Sequence, residues 1–421
     1  MRSERVIIAA MSVLSACAES GLVDYVPATF PDGGLLLGAR ALSAPSLALL
    51  QGVYALQGAS SGFGTSVLVT ATRDTVSILA TQNAAYAVGR AGCLEDGRLV
   101  IEGYWRHGTG EASGLMRFVV GAAAGGFALC TDSAGEAAFV LNGGFAVDAT
   151  SLADTAVLTR QRALCRPTRP FFTVAHRGGC RTQDYCGASE NSLEIIRLAS
   201  TLGANGIELD VRLTKEGVAI VYHDESFSPR LTRGRYCLGP VSTFSAAHIA
   251  TLCQLRYGER VPTLAEALST AVDDTDLQAV WLDVKEPSAV APAIEALRAA
   301  ESLAARNGRQ DTIRFAVGIA TEEIMAAFLS HGDRAPCLSE LDRESTLRAG
   351  CTVWAPRWTL GPLPEETAAV QAAGGQVVYW TADEAEFIDV LLENTSLDGL
   401  LTNRPGVVRH RFETLLGERC R

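Results

Sequence analysis

The sequence has no lysine- or arginine-rich run, and 47 acidic residues against 36 basic ones leave a formal charge of −11. This argues against nucleic acid as a partner, because gripping a phosphate backbone needs a net basic face. The apolar run near the start, Val6 to Leu14, is too short to cross a bilayer. No pair of cysteines has zinc-knuckle spacing, which makes a thiolate metal site the weaker reading. What is present is ordinary for a globular protein: 48% apolar and 20% charged residues in a chain of 421. That length allows two domains with real cores, one of barrel size.

Arg2 and Arg5 flank the start of the apolar run, which ends at Leu14-Ser15-Ala16-Cys17. The segment resembles the bacterial lipobox, in which the cysteine is lipidated and becomes the new N-terminus. Residues 1–17 are therefore expected to be a lipoprotein signal peptide with Cys17 as its lipidation site. The mature chain would then be exported and membrane-anchored, and Ala18 in place of Asp directs it to the outer membrane, facing the periplasm or the surface. A plain secretory signal that happens to contain a cysteine is the alternative. Ten cysteines remain, an even number that suits a disulfide framework in an oxidising compartment. Sequence neighbours suggest Cys180–Cys186, Cys237–Cys253 and Cys337–Cys351.

Residues 18–44 read as a linker, with Pro27, Pro31, Gly33 and Gly34 and no sustained period. From 45 to 160 the chain reads as short strands broken by glycine, among them Ser66–Thr70, Thr75–Ala80, Arg98–Trp105, Leu115–Val120 and Ala137–Leu141. This predicts a small antiparallel β-rich domain, a sandwich or barrel, stapled by Cys93 and Cys130. Its only histidine is His107 and it holds no catalytic cluster, so it is expected to bind, shield or space. The proline-bearing stretch 161–170 marks a boundary. Beyond it, over 170–415, the runs Phe171–Ala175, Gly206–Val211, Val218–Tyr222, Ala279–Val284, Arg314–Ile319, Thr352–Ala355, Gln376–Tyr379 and Asp398–Leu401 alternate with amphipathic helical segments. The fold class is thus α/β, and the length fits a closed (β/α)8 TIM barrel. One connection is out of pattern: between Val211 and Val218 there is no room for a helix. A closed barrel would bring Cys165 and Cys420 together as a clasp.

Polar residues gather at the ends of these runs. His176-Arg177-Gly178-Gly179 follows Phe171–Ala175, and His223 follows Val218–Tyr222, which in a parallel barrel places both histidines at the C-terminal rim. Glu208 and Asp210, two apart on one strand, point the same way, and Asp283 and Lys285 repeat the device. Three carboxylates in one mouth repel unless a cation sits among them, and all-oxygen ligation favours Mg²⁺ or Ca²⁺ over Zn²⁺. An arginine, a carboxylate-bound cation and two histidines are equipment for cutting a phosphodiester. His176 alone would more often be structural; Arg177, Glu208, Asp210 and His223 in register make the case for catalysis. Asp224 reads as a turn former or a partner for a backbone amide. Trp354 reads equally as barrel filling or aromatic wall, and Trp380, near a strand end, as facing substrate.

His176-Arg177-Gly178, Glu190-Asn191-Ser192, Glu208-Leu209-Asp210-Val211, Thr214-Lys215-Glu216-Gly217, His223-Asp224 and Val261–Leu268 form an ordered series. It resembles the glycerophosphodiester phosphodiesterases of the phosphatidylinositol-phospholipase-like barrel group. Val377–Thr381 and Asp398–Pro405 are similar to that family's last two strands, so the resemblance covers about 171–410. It implies that His176 and His223 are general acid and base, and that Glu208, Asp210 and Asp283 hold a divalent cation, Mg²⁺ or Ca²⁺. It further implies that Arg177 and Lys285 bind the phosphate, with Trp380 beside them, and that Glu190 lines the site near the metal. The implied reaction is hydrolysis of glycerophosphodiesters to an alcohol and glycerol 3-phosphate. The partner would be a small phosphodiester or lipid head group, with the membrane reached through the lipid anchor and no protein partner implied. The chain departs from the family pattern at Asp283, usually glutamate; at the cysteine-bracketed segment 180–189; at Ser192, more commonly threonine; and at Asn403, often aspartate. Competing readings are a phospholipase D-like or phosphoinositide-cleaving enzyme on the same fold, and a surface-displayed binding lipoprotein with a silent barrel.

Overall fold

The computed structural model describes residues 27–30, 33–58, 62–135, 139–148, 152, 155–164, 169–179, 181 and 186–416. Cys17, Cys165, Cys180 and Cys420 lie outside these residues, and with them the lipidation site, the expected Cys165–Cys420 clasp and half of the expected Cys180–Cys186 pair. Cys186 is itself disulfide-bonded. Cys237–Cys253 and Cys337–Cys351 are joined, as their nearness in sequence suggested, and Cys93–Cys130 joins within the N-terminal domain, as expected there.

The N-terminal sheet is a closed antiparallel meander of eight strands: β1 Gly52–Gly58, β2 Ser66–Thr72, β3 Thr75–Leu79, β4 Tyr86–Cys93, β5 Leu99–Arg106, β6 Ser113–Val120, β7 Val140–Ala146 and β8 Ala156–Arg162. Each pairs with the next, and β8 returns to β1. Eight strands enclose an interior just wide enough for side chains to fill. Here Tyr54, Phe63, Trp105, Phe118, Phe145 and Leu158 fill it, with Phe63 stacked on Phe145 at 4.1 Å. Closure leaves no long open edge, and the residues Arg40–Ala41 pair with β4 where β3 has ended. Strands β1, β4 and β8 were not read in the sequence: alanine and glycine dilute the apolar alternation of the first two, and β8 runs on into the polar stretch taken as a boundary.

The second sheet closes as a parallel barrel: β9 Phe172–Ala175, β10 Gly206–Leu213, then β12 Ala279–Val284, β13 Arg314–Ile319, β14 Cys337–Ser339, β15 Val353–Trp354, β16 Gln376–Tyr379 and β17 Gly399–Thr402. The segment expected as a parallel strand, Val218–Tyr222, instead forms β11 Ala219–Val221, which runs antiparallel to β10 with Val211 opposite Val221. The physical reason is the short connection: a few residues close a hairpin, whereas a parallel crossover needs a dozen or more. Its place in the barrel is taken by β14, which is only three residues long and follows Pro336, too short to show a period. Helices follow the parallel strands; Leu264–Asp273 begins with a capping box between Thr263 and Glu266. The excursion from β11 to Thr263 is therefore one long loop on the C-terminal face, with its own small core of Tyr222, Phe227, Leu231, Val241, Ile249 and Leu255.

The two barrels share a buried seam in which Leu68, Leu79 and Tyr86 meet Cys186, Ala188, Ile195 and Leu202. His410, on the last helix (Pro405–Leu416), is the polar rivet of that seam. It is 3% exposed, its Nε2 lies 3.1 Å from the Ser66 carbonyl, and its Nδ1 lies 2.9 Å from the Thr81 hydroxyl. One ring nitrogen donates and the other accepts, which is the hydrogen-bonding capacity of a neutral imidazole. Burial, aided by the Arg411 charge, lowers its pKa from 6.5 to about 4. The unfolded chain therefore takes the proton first. Stability is unaffected above pH 6.5 and falls as pH drops toward 4, by up to about 3 kcal/mol. Unfolding followed between these limits should show a shallower acid loss in His410→Gln than in the parent; equal slopes would refute the assignment.

Candidate active site

The C-terminal rim of the second barrel collects the polar residues singled out in the sequence. At the end of β9 the chain makes a single tight turn, His176–Gly178, with Arg177 in the left-handed region at φ 56°. Gly178 is required there: its φ is +89°, and a Cβ would meet Ile195 Cγ2 at 2.5 Å. The turn folds Arg177 inward, so that its backbone N–H donates to Glu208 Oε2 at 2.8 Å and its guanidinium to Glu190 Oε1 at 2.8 Å. Arg177 Nε also lies 3.6 Å from Asp210 Oδ2.

Asp210 and Asp283 face each other across β10 and β12 as register partners, with Glu208 two residues earlier on β10. One carboxylate oxygen from each of Glu208, Asp210 and Asp283 lies within 4.8 Å of the others. Lys285 reaches into this group, 2.7 Å from Asp210 Oδ1 and in contact with Asp283 Oδ2. Burial, with the charges of Asp210 and Asp283, raises the Glu208 pKa well above the usual carboxylate range. Burial raises that of Asp283 as well, against the pull of Lys285. Burial acts on Asp210 too, but Lys285 and Arg177 more than offset it and hold it low. Glu208 Oε1 and Asp283 Oδ1 are buried with no hydrogen-bond donor. Three converging carboxylates, two with an orphaned oxygen, fit a hard divalent cation with oxygen ligands. Among the described residues one other cluster, Cys237, His248 and Cys253, has suitable spacing, but its two sulfurs are tied in a disulfide.

The two histidines are held differently. His176 Nδ1 lies 2.8 Å from Asn403 Oδ1, while Asn403 donates its backbone N–H and its Nδ2 to Asp383, each at 2.7 Å. Because Asn403 Nδ2 is committed to a carboxylate, its Oδ1 accepts, which assigns the proton of His176 to Nδ1 and turns the Nε2 lone pair toward the site. Burial, with the Arg177 charge, lowers the His176 pKa to about 4. His223 Nδ1 instead meets a carboxylate, Asp224 Oδ1, at 2.8 Å. Asp224 is clamped by Arg230 through Nε at 2.8 Å, and Arg230 also lies 4.0 Å from Glu190. The Asp224 side chain thus pairs with an imidazole and a guanidinium, where a turn or backbone-amide role was expected.

The structure therefore brings together His176, Arg177, Glu190, Glu208, Asp210, Asp283 and Lys285, with His223 close enough for its charge to act on Asp210 and Asp283. Trp380 lies on the barrel wall: its indole N–H donates to the Ala355 carbonyl at 2.8 Å, and the Arg357 guanidinium sits 4.8 Å from its ring centre. One side of the ring is thus taken by a cation of the protein itself. Several residues of the site were missed in the sequence. Asn191, at φ 62°, donates to Asp210 Oδ2 at 2.7 Å. Asp383 and Arg230 hold the histidine partners, and Glu340, just after β14, has its pKa pushed up to about 8 by burial and the Asp283 charge. Only Asn191 had a signal, since it stands within the Glu-Asn-Ser motif.

Comparison with known proteins bears on residues 176–407, which match the model of the glycerophosphoryl diester phosphodiesterase family. "Probable glycerophosphodiester phosphodiesterase 2" of Mycobacterium tuberculosis is 30% identical over 250 residues, covering 56% of this chain and 89% of the relative. The glycerophosphodiester phosphodiesterase of Caldanaerobacter subterraneus subsp. tengcongensis is 28% identical over 243 residues, covering 56% and 94%. Among solved structures, a glycerophosphodiester phosphodiesterase from Parabacteroides distasonis is similar with a TM-score of 0.47 at 20% identity, covering 61% of this chain and all of that one. The chain belongs to the glycerophosphoryl diester phosphodiesterase family and is an enzyme of that class.

Proposed function

We propose that this chain hydrolyses glycerophosphodiesters to an alcohol and glycerol 3-phosphate, with His176 as general base and His223 as general acid. The observation that carries the reading is the unequal support of the two imidazoles. His176, with a neutral amide on Nδ1 and its pKa lowered, presents a free lone pair on Nε2 at neutral pH. His223, whose Nδ1 meets the Asp224 carboxylate in place of a neutral amide, takes the acid role. His176 takes a proton from the attacking water as its oxygen bonds to phosphorus, and His223 gives one to the alcohol oxygen as the bond from that oxygen to phosphorus breaks. Arg177 binds a phosphate oxygen, and Lys285 neutralises charge that gathers on the phosphate as the bond breaks. Glu208, Asp210 and Asp283 would hold Mg²⁺ or Ca²⁺, which supplies positive charge to the phosphoryl oxygens. Asp383 acts through Asn403 by fixing which way the amide points. At the N-terminus, a lipidated Cys17 would tether the enzyme to the outer membrane, a reading supported by the Leu-Ser-Ala-Cys motif alone.

Hydrolysis of glycerophosphocholine followed by phosphorus NMR, with and without chelator, is the primary test. His176→Ala and His223→Ala should each cut kcat by on the order of 10²–10⁴, whereas Glu208→Gln and Asp210→Asn should be partly rescued by excess Mg²⁺ or Ca²⁺. Wild-type turnover in either histidine variant would sink the acid–base assignment. Asp383→Asn should lower kcat about tenfold with KM unchanged. In a His176→Ala background it should cost nothing further, and an additive loss would show that Asp383 does not work through His176. Cys17→Ser should release the protein from membranes into the soluble fraction; a variant that still sediments wholly with membranes would end the lipoprotein reading.

A further inference from the structure

The loop that leaves the barrel after β11 differs in charge from the rest of the chain. Ser226 to Gly258 contains no aspartate or glutamate and four arginines, in a protein of net charge −11. Its apolar side chains do not all enter its small core. Tyr236 is 55% exposed, Leu238 53% and Leu252 42%. The Cys237–Cys253 disulfide, with a Cα separation of 5.5 Å, brings the chain at Tyr236 and Leu238 next to the chain at Leu252, which gathers three exposed apolar residues in one region of the loop. His248 Nε2, 2.9 Å from the Tyr236 carbonyl, ties the same segment to the helix Ala246–Leu252. The patch is bordered by exposed Arg233 and Arg235, the second lying 5.5 Å from the Tyr236 ring centre. The loop stands on the C-terminal face, the face of the barrel that holds the carboxylate cluster, and Arg230 connects it to Asp224 and Glu190.

We propose that this patch docks the barrel mouth onto an anionic phospholipid surface. An aromatic ring and two leucines bordered by two arginines, on a segment that itself carries no acid to repel lipid phosphates, are the complement of a membrane interface. The apolar side chains enter the head-group boundary while the guanidiniums pair with phosphate. A disulfide on the loop keeps the patch formed before contact, so little ordering is needed on binding. Docked this way, the acidic mouth faces the layer in which lipid head groups lie. The binding itself does not depend on the proposed reaction.

The test uses the full chain carrying Cys17→Ser, so that no acyl chain contributes, and co-sedimentation with vesicles. One set is phosphatidylglycerol mixed equally with phosphatidylcholine, the other phosphatidylcholine alone. The parent should bind the mixed vesicles, lose binding as salt rises, and bind the neutral ones weakly. Arg233→Gln with Arg235→Gln should reduce partitioning by about 30-fold, and Tyr236→Ser with Leu238→Ser by about tenfold or more. Both variants should keep the parent's unfolding temperature and its hydrolysis of soluble glycerophosphocholine, which separates loss of docking from loss of fold. Failure of the parent to bind mixed vesicles overturns the proposal, as does equal binding to neutral vesicles or binding unchanged in both variants. Parent dimerisation abolished by Tyr236→Ser would assign the patch to a second copy and overturn it as well. A parent that binds vesicles yet hydrolyses no glycerophosphodiester supports the docking surface and counts against the catalytic reading alone.

Discussion

Glu208, Asp210 and Asp283 bring carboxylate oxygens within 4.8 Å of one another in a buried mouth, and Lys285 is the cation that holds this arrangement together. Unpaired charges in such surroundings cost several kcal/mol each, so the positions of the neighbouring groups follow from where those charges must be met. Arg177 folds inward on a left-handed turn that Gly178 makes possible, and there it meets both Glu190 and Asp210. Asn191 adopts a left-handed backbone of its own and donates to Asp210. The compensation is uneven: Asp210 receives the cations, while Glu208 and Asp283 keep an orphaned oxygen and a raised pKa. That imbalance is what makes the site receptive to a further positive charge.

Around this acidic centre the two histidines differ by their partners rather than by their own chemistry. A neutral amide behind His176 orients the ring without adding a charge, whereas a carboxylate, that of Asp224, stands behind His223. Each partner is in turn fixed by a second charged residue from elsewhere on the rim, Asp383 for Asn403 and Arg230 for Asp224. A barrel serves this well, since each strand end supplies one group and the rigid sheet sets the spacing.

The accessory parts attach on different sides. The N-terminal barrel packs through Leu68, Leu79 and Tyr86 against the segment around Cys186 and the helix that follows it, and is riveted by His410. Its own interior is closed by aromatic packing. The loop after β11, in contrast, stands beside the mouth and carries its charge and exposed apolar surface there.

The sequence by itself determined the parts that depend on local spacing. Alternation on β10 placed Glu208 and Asp210 on one face, strand–helix alternation implied a parallel barrel, and two cysteine pairs close in sequence, Cys237–Cys253 and Cys337–Cys351, are pairs that form. Where the reading failed, the local signal was weak or absent: β14 has three residues, and β11 carries a strand signal that says nothing about its direction. Tertiary structure alone decided the partners of the catalytic candidates. Asn403 meets His176 across 227 positions of chain, and Arg357 covers the Trp380 ring from the end of another strand. Such pairings are set by closing the barrel, which brings strand ends together whatever their separation along the chain, and periodicity within any one segment carries no trace of them.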